Sequence, residues 1–257
     1  MDGKDPRRCY AEPLGGCGGG LSREHYFTAA IFGKGGTVRT DGLFNMPDRE
    51  IPLGSAGAKI LCRDHNSSLS PIDEEAKQLS RFIQELHSPS PSPDIRCVNG
   101  PLIERWLIKA ACGIWAAGHV NGKKVRITEQ LLRYLFGIEP IPAPLGLHSL
   151  APAELASDKR LQFKFTPVFA SHPDLGTVPT AAFISLHGLP FLLNLGGPPV
   201  EGCLPRLNPD VSFADFDLSR AKATRRPTHV TFGISNFGTQ RVIVFDGWPS
   251  EASQRAR

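Results

Sequence analysis

Apolar positions along the chain change their period twice. Between residues 70 and 87, Ala76, Leu79, Phe82, Ile83 and Leu86 recur three and four apart, which draws one apolar stripe along a helix. Ser70 suits the N-cap of that helix and Pro71 its first position, and Asp73 with Glu74 sits where the helix dipole favours negative charge. Residues 101–118 are apolar almost all round, with Leu102, Ile103, Trp106, Leu107, Ala110, Ile114 and Trp115, so this second helix is expected in a core. Glu104, Arg105 and Lys109 interrupt it too often for a membrane span. A shorter helix is predicted over 128–136, capped by Thr128 and closed by Gly137. After Pro140, Pro142 and Pro144 the period falls to two. Leu161, Phe163 and Phe165 alternate with Gln162 and Lys164, residues 182–186 lead through His187-Gly188 into 191–195, Val230, Phe232 and Ile234 alternate again, and 241–245 forms a last strand. Short strands with a tight His187-Gly188 hairpin predict an antiparallel sheet from about residue 160.

The breaks between these patterns divide the chain. Alternating Ser-Pro from Ser88 to Pro93 cannot continue a helix and reads as an extended spacer, 88–100, between a unit over 1–87 and a helical plus β region over 101–257. Within the first unit, residues 33–57 are rich in glycine, proline and charge, including Lys34, Arg39 and Arg49, with Lys59 close by. Connections of that length are functional or loosely ordered. A short strand over 59–61 is expected to follow. The fold class is therefore α+β: a small N-terminal unit, a helical middle and a C-terminal antiparallel sheet.

Composition narrows the partners. With 257 residues, 40% of them hydrophobic, the chain can bury a sizeable core as one large domain or two smaller ones. Twenty-nine basic against 25 acidic residues, net +4, permits a nucleic-acid partner without arguing for one. Residues 1–8 are polar and charged, with no apolar stretch of a secretory signal, so a cytoplasmic protein without a membrane span is expected. In a reducing compartment the six cysteines read as thiols or metal ligands rather than disulfides. Cys97, Cys112 and Cys203 have no ligand-like neighbours and are expected to be buried or inert. The basic run Arg220, Lys222, Arg225, Arg226 is either a solvated loop or a grip for phosphates.

Candidate chemistry gathers at Cys62-Arg63-Asp64-His65-Asn66. A cysteine with a histidine three residues later places a thiolate and an imidazole on one tight knuckle, and the earlier Cys9 and Cys17 complete the four ligands that tetrahedral zinc prefers. The plainer alternative is buried and surface thiols beside unrelated histidines. After Cys9 comes a glycine-rich loop around Cys17, Gly15-Gly16-Cys17-Gly18-Gly19-Gly20, whose glycines reach the positive φ angles a knuckle needs. It is no phosphate-binding loop, for no Gly-Lys-Ser/Thr follows and no strand precedes it.

The order Cys9, Cys17, Glu24-His25, then Cys62-x-x-His65-Asn66 resembles the HNH nuclease family over about a quarter of the chain. The resemblance implies a ββα-metal unit with a structural zinc on Cys9, Cys17, Cys62 and His65, the histidine of the first strand at His25, and the helix-start residue at Asn66. This chain departs from the family's paired-cysteine knuckles in the wide Cys9–Cys17 spacing and in His65 where a cysteine is usual, and it has Ser70 where a further metal-binding His or Asn often stands.

Two functions follow from that resemblance. One is a metal-dependent endonuclease cutting nucleic acid, DNA foremost: His25 is the general base that takes a proton from water, Glu24 and Asn66 hold a catalytic magnesium or manganese ion, and Arg23, Lys59 and Arg63 contact the nucleic acid. The other is a non-catalytic, zinc-stabilised module that binds nucleic acid or protein, in which Glu24, His25 and Asn66 have no chemical task.

Overall fold

The computed structural model describes residues 8–28, 31, 37–40, 49–52, 55–86, 94–118, 127–151, 163–172, 176–186, 189–196, 222–233 and 240–248. A short 3-10 turn (Glu12–Leu14) is followed by β1 (Leu21–His25), β2 (Thr37–Thr40), β3 (Arg49–Pro52), β4 (Gly57–Cys62), α1 (Arg63–Ser68), α2 (Ser70–Leu86) and β5 (Asp94–Asn99). Then come α3 (Gly100–Ala117), α4 (Glu129–Leu135), β6 (Gly146–Ala151), β7 (Phe163–His172), β8 (Gly176–Leu186), β9 (Leu189–Asn194), β10 (Lys222–Arg225), β11 (His229–Gly233) and β12 (Gln240–Asp246). The protein is α+β, and among the described residues its strands lie in four separate sheets.

The apolar helix predicted over 101–118 is α3, and it is the centre of the molecule. Asn99 caps it by accepting a hydrogen bond from Leu102 N–H at 3.0 Å, and Gly118 ends it in the left-handed conformation at φ 78°. Ile103, Trp106, Leu107, Ile108, Ala110, Ala111, Ile114 and Trp115 are all buried. They belong to one continuous core that takes in Leu79 and Ile83 of α2, Leu61 of β4, Phe163 and Phe165 of β7, and Phe245 of β12. Thr128 caps α4, accepting from Leu131 N–H.

The larger sheet is antiparallel, in the order β10-β6-β9-β8-β7. Strands β8 and β9 pair from Ala181↔Asn194 to Leu186↔Leu189, as a hairpin between them requires; His187 and Gly188 lie outside the described residues, as do Leu161, Gln162, Ile234, Cys203 and Arg220. A second sheet, β11-β12-β5, was not expected. Its strand β12 runs parallel to β5 from Arg241↔Asp94 to Asp246↔Asn99. The spacer read over 88–100 therefore gives way to a strand at Asp94, while residues 88–93 lie outside the described residues. The five-stranded antiparallel sheet also begins earlier than residue 160, at β6.

Two further expectations are corrected and one is narrowed. Ser70 is already inside α2 and does not cap it, because α1 runs into α2 through Leu69 alone. Cys112 is buried, and Cys97 is exposed, which leaves the expectation that these cysteines are buried or inert standing for Cys112 alone on burial. The basic run is not a phosphate grip at its described arginines. Arg225 Nε donates to the Leu145 carbonyl at 2.8 Å, and Arg226 donates to the Ile141 carbonyl at 3.0 Å and pairs with the Glu104 carboxylate of α3 at 3.3 Å. Glu104 also accepts from Leu147 N–H at 2.8 Å, so a buried acid and a buried base fasten α3 to β6 and the end of β10. Burial raises the Glu104 carboxyl above its usual range, against the opposing pull of Arg226 and the Leu147 N–H.

Candidate metal centre

The unit that carries the candidate chemistry is the β1/β4 pair with α1 and α2 behind it. β1 and β4 are antiparallel, in register from Leu21↔Cys62 to His25↔Gly57, with a bulge after Ser22. The bulge sets Ser22 opposite Leu61 and Arg23 opposite Lys59, so Ile60 has no partner on β1. Its carbonyl accepts instead from Tyr10 N–H at 2.9 Å, which pins the N-terminal segment and Cys9 to the hairpin. Arg63 N–H donates to the Gly20 carbonyl at 2.9 Å and closes the other side of the loop. Between these ties the chain turns sharply, with Gly15, Gly16, Gly19 and Gly20 at φ between 67° and 75°, conformations that glycine adopts without strain.

This brings together all four residues expected to hold zinc. The ligand atoms of Cys9, Cys17, Cys62 and His65 lie within 4.8 Å of one another. His65 Nδ1 is 3.4 Å from Cys9 Sγ, 3.6 Å from Cys17 Sγ and 3.2 Å from Cys62 Sγ. Zinc bonded to sulfur and nitrogen at its usual distances gives a tetrahedral S···N edge of about 3.6 Å, so the three separations are of the right size for a single ion. Of its three sulfurs, one is already arranged to carry charge, while burial raises the Cys9 and Cys17 thiols. Burial works to raise the Cys62 thiol, yet backbone N–H groups of His65 and Gly18, with the Cys9 and Cys17 thiols, outweigh it and hold Cys62 below the ordinary thiol value. Burial pushes Cys9 up to about 12 against the N–H groups of Cys62 and Ala11. A zinc ion would deprotonate such a thiol as it bound. Cys17 is exposed, and the His65 ring packs edge-on against Phe136 at 5.2 Å, beyond the end of α4.

The residues expected to hold a catalytic divalent ion do not gather in this way. Alternation along β1 turns Glu24 inward and leaves it 2% exposed, while Arg23 and the half-buried His25 lie to the other side. Glu24 Oε1 is 2.6 Å from Lys109 Nζ of α3. That same ammonium donates to Asp73 Oδ1 at 2.7 Å and Oδ2 at 2.8 Å. Thr28 Oγ1 donates to Asp73 Oδ1 at 2.6 Å and accepts from Trp106 Nε1 at 3.0 Å. Asn66 spends its amide on Ser22 Oγ, donating at 3.2 Å. As it stands, the arrangement does not fit magnesium or manganese at Glu24, because that carboxylate already has a cation in Lys109. Burial raises Glu24 to about 7, against the pull of Lys109. His25 is shifted down, first by burial and then by Arg23 and Lys109.

Sequence reasoning named Glu24 but missed its partners. Asp73 looked like a helix-dipole residue, and Lys109 like one more charge interrupting an apolar helix. The readable signal was that a charge on a helix apolar all round must be neutralised inside the protein. Lys59 and Arg63 are exposed, as is Arg23, on the outer side of the hairpin and the first turn of α1. No family model, no curated protein and no solved structure matches the chain.

Proposed function

We propose that the zinc-held β1–β4–α1 unit, an HNH-like ββα arrangement, binds nucleic acid through the outer face of its hairpin. The observation that carries this reading is the division of charge across β1. Arg23 and Lys59 stand directly opposite each other on the exposed face, and Arg63 follows in the exposed first turn of α1. The carboxylate of Glu24 is turned to the far side and neutralised by Lys109. One acid, Asp64, is exposed beside Arg63. A cationic face on a rigid two-stranded platform suits phosphates, and the zinc would supply the rigidity by fastening both ends of the hairpin to the loop before it.

The test is fluorescence anisotropy with a labelled duplex over a potassium chloride series. If Arg23, Lys59 and Arg63 each neutralise one phosphate, log K should fall against log salt with a slope of about −2.7. Lys59→Gln and Arg63→Gln should each flatten it by about 0.9. Binding that ignores both substitutions removes the reading.

One observation favours the second reading, a nuclease with His25 as general base. Burial lowers the His25 pKa, so at neutral pH its imidazole is uncharged and able to accept a proton, on the same side of β1 as Arg23. Incubating plasmid with the zinc-loaded protein in magnesium or manganese, beside His25→Ala, separates the two. Cleavage that His25→Ala abolishes moves the weight to the nuclease.

A further inference from the structure

The mismatch between the candidate catalytic residues and a divalent ion has a specific form. Three carboxylate oxygens surround one nitrogen: Glu24 Oε1 at 2.6 Å, and Asp73 Oδ1 and Oδ2 at 2.7 and 2.8 Å from Lys109 Nζ. Glu24 and Lys109 are each 2% exposed. Glu24 belongs to β1 and Asp73 to α2, both in the candidate unit, whereas Lys109 reaches in from α3, outside it. Two carboxylates with a hydroxyl beside them, here Thr28 Oγ1, are the hard-oxygen set that a small divalent cation prefers.

We propose that Lys109 is a tethered cation standing where a divalent ion would otherwise bind between Glu24 and Asp73, which closes the unit to metal at that point. The covalent tether is the physical reason it prevails. A free ion must be stripped of tightly held water to enter, whereas the ammonium is delivered by a helix already packed in the core. Neutralising Lys109 leaves two carboxylates facing one another with no cation, the situation in which a buried acidic pair takes up a metal. The proposal is independent of phosphate binding at Arg23, Lys59 and Arg63, since its readout is metal uptake.

Manganese is the probe, followed by the paramagnetic resonance of the free ion and by the melting temperature, on zinc-loaded full-length protein. Wild type should take up no manganese at this point up to millimolar concentration. Lys109→Met should bind one manganese ion per chain and melt higher as manganese is added, and Glu24→Gln/Lys109→Met should lose both effects. If Lys109→Met does not fold without metal, folding that returns with manganese supports the proposal; Lys109→Gln, which keeps a donor in the cavity, gives a milder variant for the same titration. Stoichiometric uptake by wild type that Glu24→Gln removes would overturn it. So would folded Lys109→Met and Lys109→Gln proteins that bind none.

Discussion

Stripping the zinc is the perturbation whose size the structure allows to be worked out. Cys9 and His65, two of the four ligands, are 56 positions apart. An ion bonded to both holds that loop closed in the folded chain, and the chain-entropy scale for closing a loop of this length, about 4 kcal/mol, is taken as the scale of the loss, since the binding free energy of a structural ion is folding free energy. Against a total stability of roughly 5–15 kcal/mol for a folded domain, removal should be plain to see. At about 2–4 °C per kcal/mol for a chain of this size, the melting temperature should fall by roughly 8–16 °C. The assay is scanning calorimetry of protein before and after dialysis against chelator, with elemental analysis to establish one zinc per chain at the start and none at the end. Cys62→Ser should reproduce the loss without chelator, since it removes the ligand at which β4 turns into α1. A zinc-free protein melting within about 3 °C of the loaded form would refute the reasoning, and so would Cys62→Ser that keeps its zinc in full.

Other outcomes follow from the buried charges. Glu24 is raised to about 7 by burial, so below that pH the folded state keeps a proton that the unfolded state gives up near 4.5, and above it the carboxylate is the charged partner of Lys109. Its contribution to stability is present at low pH and is lost as pH rises through about 7, by no more than about 3 kcal/mol; Glu24→Gln should flatten the stability profile between pH 5 and 8, and an unchanged slope in urea titrations would count against the shift. Glu104→Ala should cost about 3–5 kcal/mol, because it strands the Arg226 guanidinium and the Leu147 N–H in the interior; a change under 1 kcal/mol in denaturant midpoints would show that water reaches them. Asn99→Ala should cost about 1 kcal/mol by removing the cap of α3, with Asn99→Ser recovering most of it in the same assay.

What could be read in the sequence was whatever depended on near neighbours. The Cys3His set was legible because Cys62 and His65 share one turn and Cys17 sits within a run of glycines after Cys9. Three helices were legible, α2 from its apolar period, α3 from an apolar surface broken by few charges, and α4 from Thr128 and Gly137, whereas α1 was not read and Ser70 proved to be no cap. What escaped depended on partners far along the chain. Strand β5 follows a Ser-Pro run and exists through its parallel pairing with β12, more than a hundred residues later. Arg225 and Arg226 looked like a solvated run because nothing local announces that Glu104, more than a hundred positions earlier, will receive Arg226. Glu24 was assigned to a metal because the local motif suggested one, while its actual counter-charge came from a helix read only for its hydrophobicity.

The β5–β12 pairing also sets a timetable for synthesis. Every residue of the unit that carries the Cys3His cluster has left the ribosome soon after residue 86, and the cluster spans no more than 56 positions, so it can close early. Helix α3 emerges next, apolar on nearly every side, and the strand that pairs beside its N-terminal end is complete only at Asp246. For the time it takes to make those intervening residues, its tryptophans have no finished core to enter. At about 5–20 residues per second that interval lasts on the order of ten seconds, long enough for nascent chains to need protection from one another. Truncations anywhere between α3 and β12 should accordingly accumulate in aggregates, even where the zinc-binding part is intact.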